Sequence, residues 1–436
     1  MNEPRDNGTG GDRWKNSVRH IALTDVGMRR AINQDSMGVF RAESKESWER
    51  FGHLFIVADG MGAHAAGELA SQLAVELIPQ NYRKTSQAAP AESLHKAISD
   101  ANAEIFRRGQ ANIEFRSMGT TCSVLSLLPE GAVVAHVGDS RVYQLHGDQL
   151  YQLTFDHSLV WEMQAAGEVT DETARSGVIP KNVITRSLGP NANVEIDLEG
   201  PFPIQKGDRY LLCSDGLSGQ VTDEEIGALM RVLPPAEAAQ IFIDLSNLRG
   251  GPDNITAIVV EATDDMILSN GGGMVVRRSG QPKSFSPALG IVSGVCLALA
   301  GVFWYLTLPP IAIVALVLGI IALLTGFVQV FWPNTSGSEQ GSRYGNGPYR
   351  QYKAAPSQTL FEHLAGTMKS LREAAEERKW KIDWTDLDKR FGDACKSADK
   401  SDYDTAVASQ ARVIVDLMKQ IKRQRDGNAS DSAVDL

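Results

Sequence analysis

Phe55–Ser71 reads FIVADGMGAHAAGELAS. Its first part is apolar and stops at an acid beside a glycine. Its second part repeats small and apolar residues at helical spacing. His53–Ala58 is therefore expected as a buried strand ending at Asp59-Gly60. His64–Pro79 is expected as a helix with Ala66, Leu69, Ala70, Leu73 and Leu77 on one face.

The same device recurs along the chain. Val133–Asp139 is VVAHVGD, Tyr210–Gly216 is YLLCSDG, and Pro252–Val260 mirrors it as PDNITAIVV. Antiparallel neighbours set the end of one strand beside the start of the next, so Asp59, Asp215 and Asp253 can converge at one sheet edge. Such a turn acid is by itself ordinary. Several together repel one another unless a cation neutralises them. An all-oxygen donor set selects hard ions such as Mg²⁺ and Mn²⁺.

Between these strings, Thr120–Leu128, Ala132–Val137, Arg141–Leu145, Arg209–Cys213 and Ile255–Val260 read as strands. Ala91–Arg108, Glu224–Arg231 and Ala236–Leu248 read as helices. Short strands with tight turns imply antiparallel sheets, and the helices imply covering layers.

The whole chain has 436 residues, with 43 Lys+Arg against 53 Asp+Glu and a net charge of −10. That balance argues against a nucleic-acid partner. The 43% hydrophobic content supports a packed core. Cys122, Cys213, Cys296 and Cys395 are too scattered for a zinc or redox pair, which fits a reducing compartment. The first sixteen residues are polar and carry no secretory leader.

Ser284–Ser338 contains no Asp, Glu, Lys or Arg. Within it, 287–308 and 311–332 are each long enough for a span of about 20 residues, broken by Pro309-Pro310. Two transmembrane helices over 287–332 are expected, in contact with the lipid bilayer. Arg277, Arg278 and Lys283 before them, and Arg343, Arg350 and Lys353 after them, put both flanks in the cytoplasm. The expected organisation has a disordered start (1–17), a first domain (18–265) and a Gly-rich linker (266–286). After the membrane pair come a second linker (333–356), a small all-α domain (357–426) and a disordered tail (427–436).

Eight strings in order give the first domain a family likeness. They are TDVGMRRAINQDS (24–36), FIVADGMGAHAAGELAS (55–71), MGTTC (118–122), AHVGDSRVY (135–143), LTFDHSLV (153–160), ITRSLG (184–189), LLCSDGLSGQVTDEE (211–225) and GGPDNITAIVV (250–260). Residues 18–263 resemble the PPM family of metal-dependent protein phosphatases, the protein phosphatase 2C-like enzymes, in their bacterial form. The resemblance stops before the apolar pair and the tail.

That resemblance implies an α+β fold, a four-layer α-β-β-α sandwich of two antiparallel sheets. It implies a serine/threonine phosphatase with two Mn²⁺ or Mg²⁺ ions per site and a weaker third. Asp59 would bridge the two ions, with the Gly60 carbonyl on one of them. Asp215 and Asp253 would complete the shell, and Asp35 would hold a water of that shell. Asp139 with Asp215 would hold the third ion. Arg30 would grip the substrate phosphate, a task suited to a guanidinium; Arg29 is its neighbour. Family members of animal type carry His where this chain has Met61, so the proton donor is unassigned, and His64 lies nearby. Cys122 and Cys213 read as core. The stretch between Asp156 and Arg186 resembles the family's flap.

The implied function is a membrane-anchored cytoplasmic phosphatase acting on phosphorylated Ser/Thr proteins, opposite a cognate kinase. The alternative is an inactive membrane-bound adaptor that binds phosphoproteins; retention of all five acids separates it from the enzyme.

Overall fold

The computed structural model describes residues 14–62, 66–84, 89–170, 173, 179–180, 183–269, 287–331 and 344–432. The chain divides into two units, Met1–Arg277 with Arg343–Leu436, and Arg278–Ser342.

Among the described residues the larger unit holds twelve strands: β1 (Val18–Asp25), β2 (Asp35–Phe40), β3 (His53–Met61), β4 (Gly119–Thr120), β5 (Cys122–Leu128), β6 (Gly131–Val137), β7 (Arg141–His146), β8 (Gln149–Gln152), β9 (Asp197–Phe202), β10 (Arg209–Cys213), β11 (Ile255–Ala262) and β12 (Arg350–Lys353). One sheet runs β1-β11-β10-β7-β8-β12 and the other β2-β3-β5-β6-β9, with β4 beside β3. All these pairings are antiparallel.

Alternation along β3 explains why its run is apolar throughout. Phe55 and Val57 enter the core between the sheets, with Leu125, Leu212 and Ile258. Leu54, Ile56 and Ala58 face the opposite way, onto the helices Ala66–Lys84 and Pro90–Ala111. A strand covered on both faces needs no polar side. On the far side, Asp223–Val232 and Pro235–Leu248 cover the first sheet through Leu229, Ile241 and Phe242. The result is the expected four-layer sandwich of two antiparallel sheets.

The structure corrects the organisation beyond this sandwich. The linker expected at 333–356 carries β12, which extends the first sheet beside β8. The helices Gln358–Glu377, Trp384–Asp399 and Tyr403–Ser432 do not form a separate domain. Leu360, Leu364, Ile414 and Leu417 share one apolar core with Leu229 and Phe242. The tail expected as disordered from 427 is helical to Ser432. At the other end, Trp14 stacks on Trp48 at 6.1 Å, inside the stretch expected to be disordered. Most of the Gly-rich linker, 270–286, lies outside the described residues.

The smaller unit is a helical hairpin, Pro287–Tyr305 and Pro309–Phe331. Ser293 Oγ donates to the Gly319 carbonyl at 3.1 Å. Trp304, Tyr305, Leu316 and Ile321 are exposed. Among the described residues, no helix is long and apolar enough to cross a membrane. The expected pair of spans is corrected on that point.

Candidate active site

The two sheets bring their acid-bearing ends together. Asp35 and Asp59 are directly opposite across β2 and β3. Asp215 follows the end of β10, and Asp253 precedes the start of the adjacent β11. The sheets are tied across this end by Asp35 Oδ2, which accepts from Ser214 Oγ at 2.8 Å and Thr256 Oγ1 at 2.7 Å. Asp139 sits in the turn between β6 and β7.

Backbone contacts hold the Asp59 and Asp139 turns. The Asp59 N–H donates to Thr121 Oγ1 at 2.9 Å, and the Asp59 carbonyl accepts from the Thr121 N–H at 2.8 Å. Thr121 and Ser140 share a hydroxyl contact of 2.7 Å, which couples the Asp59 and Asp139 turns. The Gly138 N–H donates to His157 Nδ1 at 3.0 Å, and the His157 N–H donates to the Gly138 carbonyl at 2.7 Å. Gly60 meets the start of the Ala66–Lys84 helix so closely that an added Cβ would lie 2.2 Å from the Gly67 carbonyl oxygen.

Asn254 is a residue that reading the sequence missed. Its Oδ1 accepts the Gln34 N–H at 2.8 Å, and its Nδ2 donates to the Val26 and Ile32 carbonyls at 3.0 Å each. One side chain thus fixes both ends of the loop carrying Arg30 and delivers Asp35. The only sequence signal was an Asn after Asp253, which a turn explains equally well. Gly27 in the same loop has φ +80°, and a Cβ there would stand 2.1 Å from the Asp253 carbonyl.

Burial and mutual repulsion dominate the electrostatics. Burial first, and then Asp215 and Asp253, raise Asp35 to about 6, against the pull of its two hydroxyl donors. Burial and then Asp253 raise Asp215 to about 6. Burial, Asp215 and Asp156 raise Asp139 to about 8. Asp59 is pushed well up by burial and then by Asp35, Asp215, Asp139 and Asp253. Asp35 Oδ1, Asp139 Oδ1 and Asp215 Oδ1 are buried without a hydrogen-bond partner. Orphaned, crowded carboxylate oxygens fit a hard divalent cation.

Among the described residues, no group of three or more His, Cys, Asp or Glu is already arranged as a metal cage. Asp253 Oδ2 accepts from Arg30 Nη2 at 2.7 Å. Arg30 is therefore beside the cluster, about half exposed and paired with one of its acids. Arg29 approaches Gly250 instead. His64 lies outside the described residues. Cys122 and Cys213 are fully buried, and burial pushes both thiols up to about 12, which leaves them unfit as nucleophiles.

Comparison with known proteins adds the family. The model described as protein phosphatase 2C matches residues 28–247. A serine/threonine phosphatase stp of Listeria innocua is 39% identical over 243 residues, covering 55% of this chain and 93% of that protein. The protein phosphatase PhpP of Streptococcus pneumoniae is 34% identical over 247 residues, covering 56% and 97%. The crystal structure of the Mycobacterium tuberculosis serine/threonine phosphatase PstP/Ppp aligns with a TM-score of 0.49 at 33% identity, covering 57% of this chain and 99% of that one. The matched region thus fills nearly all of each relative and little more than half of this chain. With the family model over half its length and this identity to full-length relatives, the chain belongs to the protein phosphatase 2C family of metal-dependent serine/threonine phosphatases.

Proposed function

We propose that the chain hydrolyses phosphoserine and phosphothreonine in proteins at the cluster of Asp35, Asp59, Asp139, Asp215 and Asp253. Its substrates would be proteins modified by a serine/threonine kinase. The observation that carries this reading is the buried, unpartnered oxygens of Asp35, Asp139 and Asp215 in one raised-pKa cluster. Asp59, with the Gly60 carbonyl, Asp215 and Asp253 would hold a pair of Mn²⁺ or Mg²⁺ ions. Asp35 and Asp139 would act at its margin. Such ions supply charge neutralisation for the phosphoryl group and a lowered pKa for a water.

The chain's own residues do the rest. Ser214 and Thr256 orient the Asp35 carboxylate. Thr121 fixes the Asp59 backbone from both sides. Arg30, paired with Asp253 at the exposed rim, is positioned to exchange that carboxylate for a phosphate. Transition-state charge on the equatorial oxygens strengthens the same contact.

Arg30→Ala tests this assignment. KM for a phosphothreonine peptide is expected to rise about tenfold, with a further fall in kcat where the contact tightens in the transition state. An unchanged kcat/KM would move the phosphate-binding role away from Arg30, and Arg29→Ala would then be the informative variant.

A further inference from the structure

The segment that follows the helical hairpin lies outside the residues matched by the family model, yet it is built into the catalytic body. The Tyr344 N–H donates to the Gly200 carbonyl at 2.6 Å, and the Tyr349 N–H donates to the Gln152 carbonyl at 2.9 Å. Glu199, on β9, accepts from the Gly347 N–H at 2.7 Å and from the Tyr349 hydroxyl at 2.5 Å. These bonds deliver Arg350 to one place. Its guanidinium carbon stands 3.8 Å from the centroid of the Trp161 ring.

Trp161 belongs to the short helix Leu159–Ala165, which begins two residues beyond His157. Its ring lies edge-on to Phe155 at 5.2 Å, and Phe155 meets Tyr349 at 5.4 Å. Arg350 Nη2 also donates to Gln164 Oε1 of this helix at 3.5 Å, and Arg141 lies over the Trp161 ring at the longer distance of 5.8 Å. The helix is further tied to its own loop by the Leu159 N–H on the Val183 carbonyl at 2.9 Å and by Thr185 Oγ1 on Glu162 at 2.6 Å. Stacking at this distance on a ring only 9% exposed is a desolvated cation–π contact. The helix therefore borrows part of its fixed position from a residue nearly two hundred positions away.

We propose that Arg350 is a positioning residue of this phosphatase: by stacking on Trp161 it fixes the Leu159–Ala165 helix, and so sets how phosphoprotein substrates are bound beside the acid cluster. The acids have anchors of their own: Asp139 is held through Gly138 and His157, and Asp59 through Thr121. Loosening the helix therefore changes the surface offered to the peptide around the phosphate and leaves the site of bond cleavage in place. The inference rests on the phosphatase activity.

The test uses the full-length chain in Mn²⁺, with a phosphothreonine peptide and with p-nitrophenyl phosphate, which has no peptide to contact the helix. For Arg350→Ala the peptide KM is expected to rise several-fold, within the two- to thirtyfold range of about one cation–π contact, with kcat within about twofold. kcat/KM for p-nitrophenyl phosphate stays within about twofold on the same grounds. Arg350→Met keeps the aliphatic stem and loses the charge; it gives the same split and carries the test where the alanine variant does not fold. Trp161→Leu reproduces the peptide effect, and the double variant with Arg350→Met adds little to either single one. Equal losses on both substrates, additive losses in the double variant, or an unchanged peptide KM would overturn the proposal. A folded wild-type chain with no turnover of either substrate would overturn the phosphatase reading and this inference with it.

Discussion

Asp59→Asn is expected to lower kcat on a phosphothreonine peptide by at least about two to three orders of magnitude, the scale of losing a main electrostatic element of an active site. The substitution keeps size and removes one negative charge at the centre of the cluster. Asp59 is the acid that feels all four others, Asp35, Asp215, Asp139 and Asp253. Its neutral replacement weakens the pull on a divalent cation more than loss of a peripheral acid would. The fold should survive. Burial and repulsion raise the Asp59 pKa in the metal-free protein, so its ionised form opposes folding increasingly as pH rises above the ordinary carboxylate value. Asparagine does not ionise, and the variant's melting temperature in EDTA at pH 7.5 should equal or exceed the wild type's. A folded variant retaining more than about a tenth of wild-type kcat would refute a central role, since one decade is only about 1.4 kcal/mol.

Arg141→Ala carries the largest expected effect on stability. The Arg141 guanidinium reaches Asp156 at 2.7 Å and Asp223 at 3.3 Å, and donates to the Tyr143 hydroxyl at 3.0 Å. Asp156 is only 4% exposed. Removing the cation leaves a buried carboxylate beside a second one, which costs about 3–5 kcal/mol for a broken buried pair. The loss should shrink at acid pH, because an unpaired Asp156 binds a proton more readily in the folded state than in the unfolded one. Urea unfolding at pH 5 and pH 8 checks both points. A loss under about 1 kcal/mol at pH 8 would mean the pair behaves as a solvated one.

The sandwich was legible where apolar runs met Asp-Gly turns. β6, β10 and β11 lie where their strings put them, give or take a residue or two at the ends, and β3 runs three residues further, to Met61. β2, DSMGVF, was not legible: it is short and interrupted by Gly38, and its side chains after Asp35 are half-buried. β12, RQYK, looked like linker for a related reason. A four-residue polar edge strand owes its existence to β8 beside it and to Ala354 packed in the shared core, and neither is local information. The tail was legible as helical over 357–426, but helical periodicity does not say what covers a face, and here it is the helices of the first sheet. The acids of the site were all visible. Arg141, Asn254 and Thr121, which hold that site together, were not, because their work lies in contacts with residues remote in sequence. The charge-free run 284–338 predicted helices correctly in place; composition alone did not establish a span.

The central claim is that the converging acids form the metal-dependent phosphatase centre. Its most direct test is phosphate release from a phosphothreonine peptide by the full-length chain, stripped with chelator and then titrated with Mn²⁺. No release is expected in the stripped protein, with activity restored saturably by Mn²⁺ and abolished again by EDTA. Undiminished release from the stripped protein, or none at any Mn²⁺ concentration from a folded chain, would contradict the account.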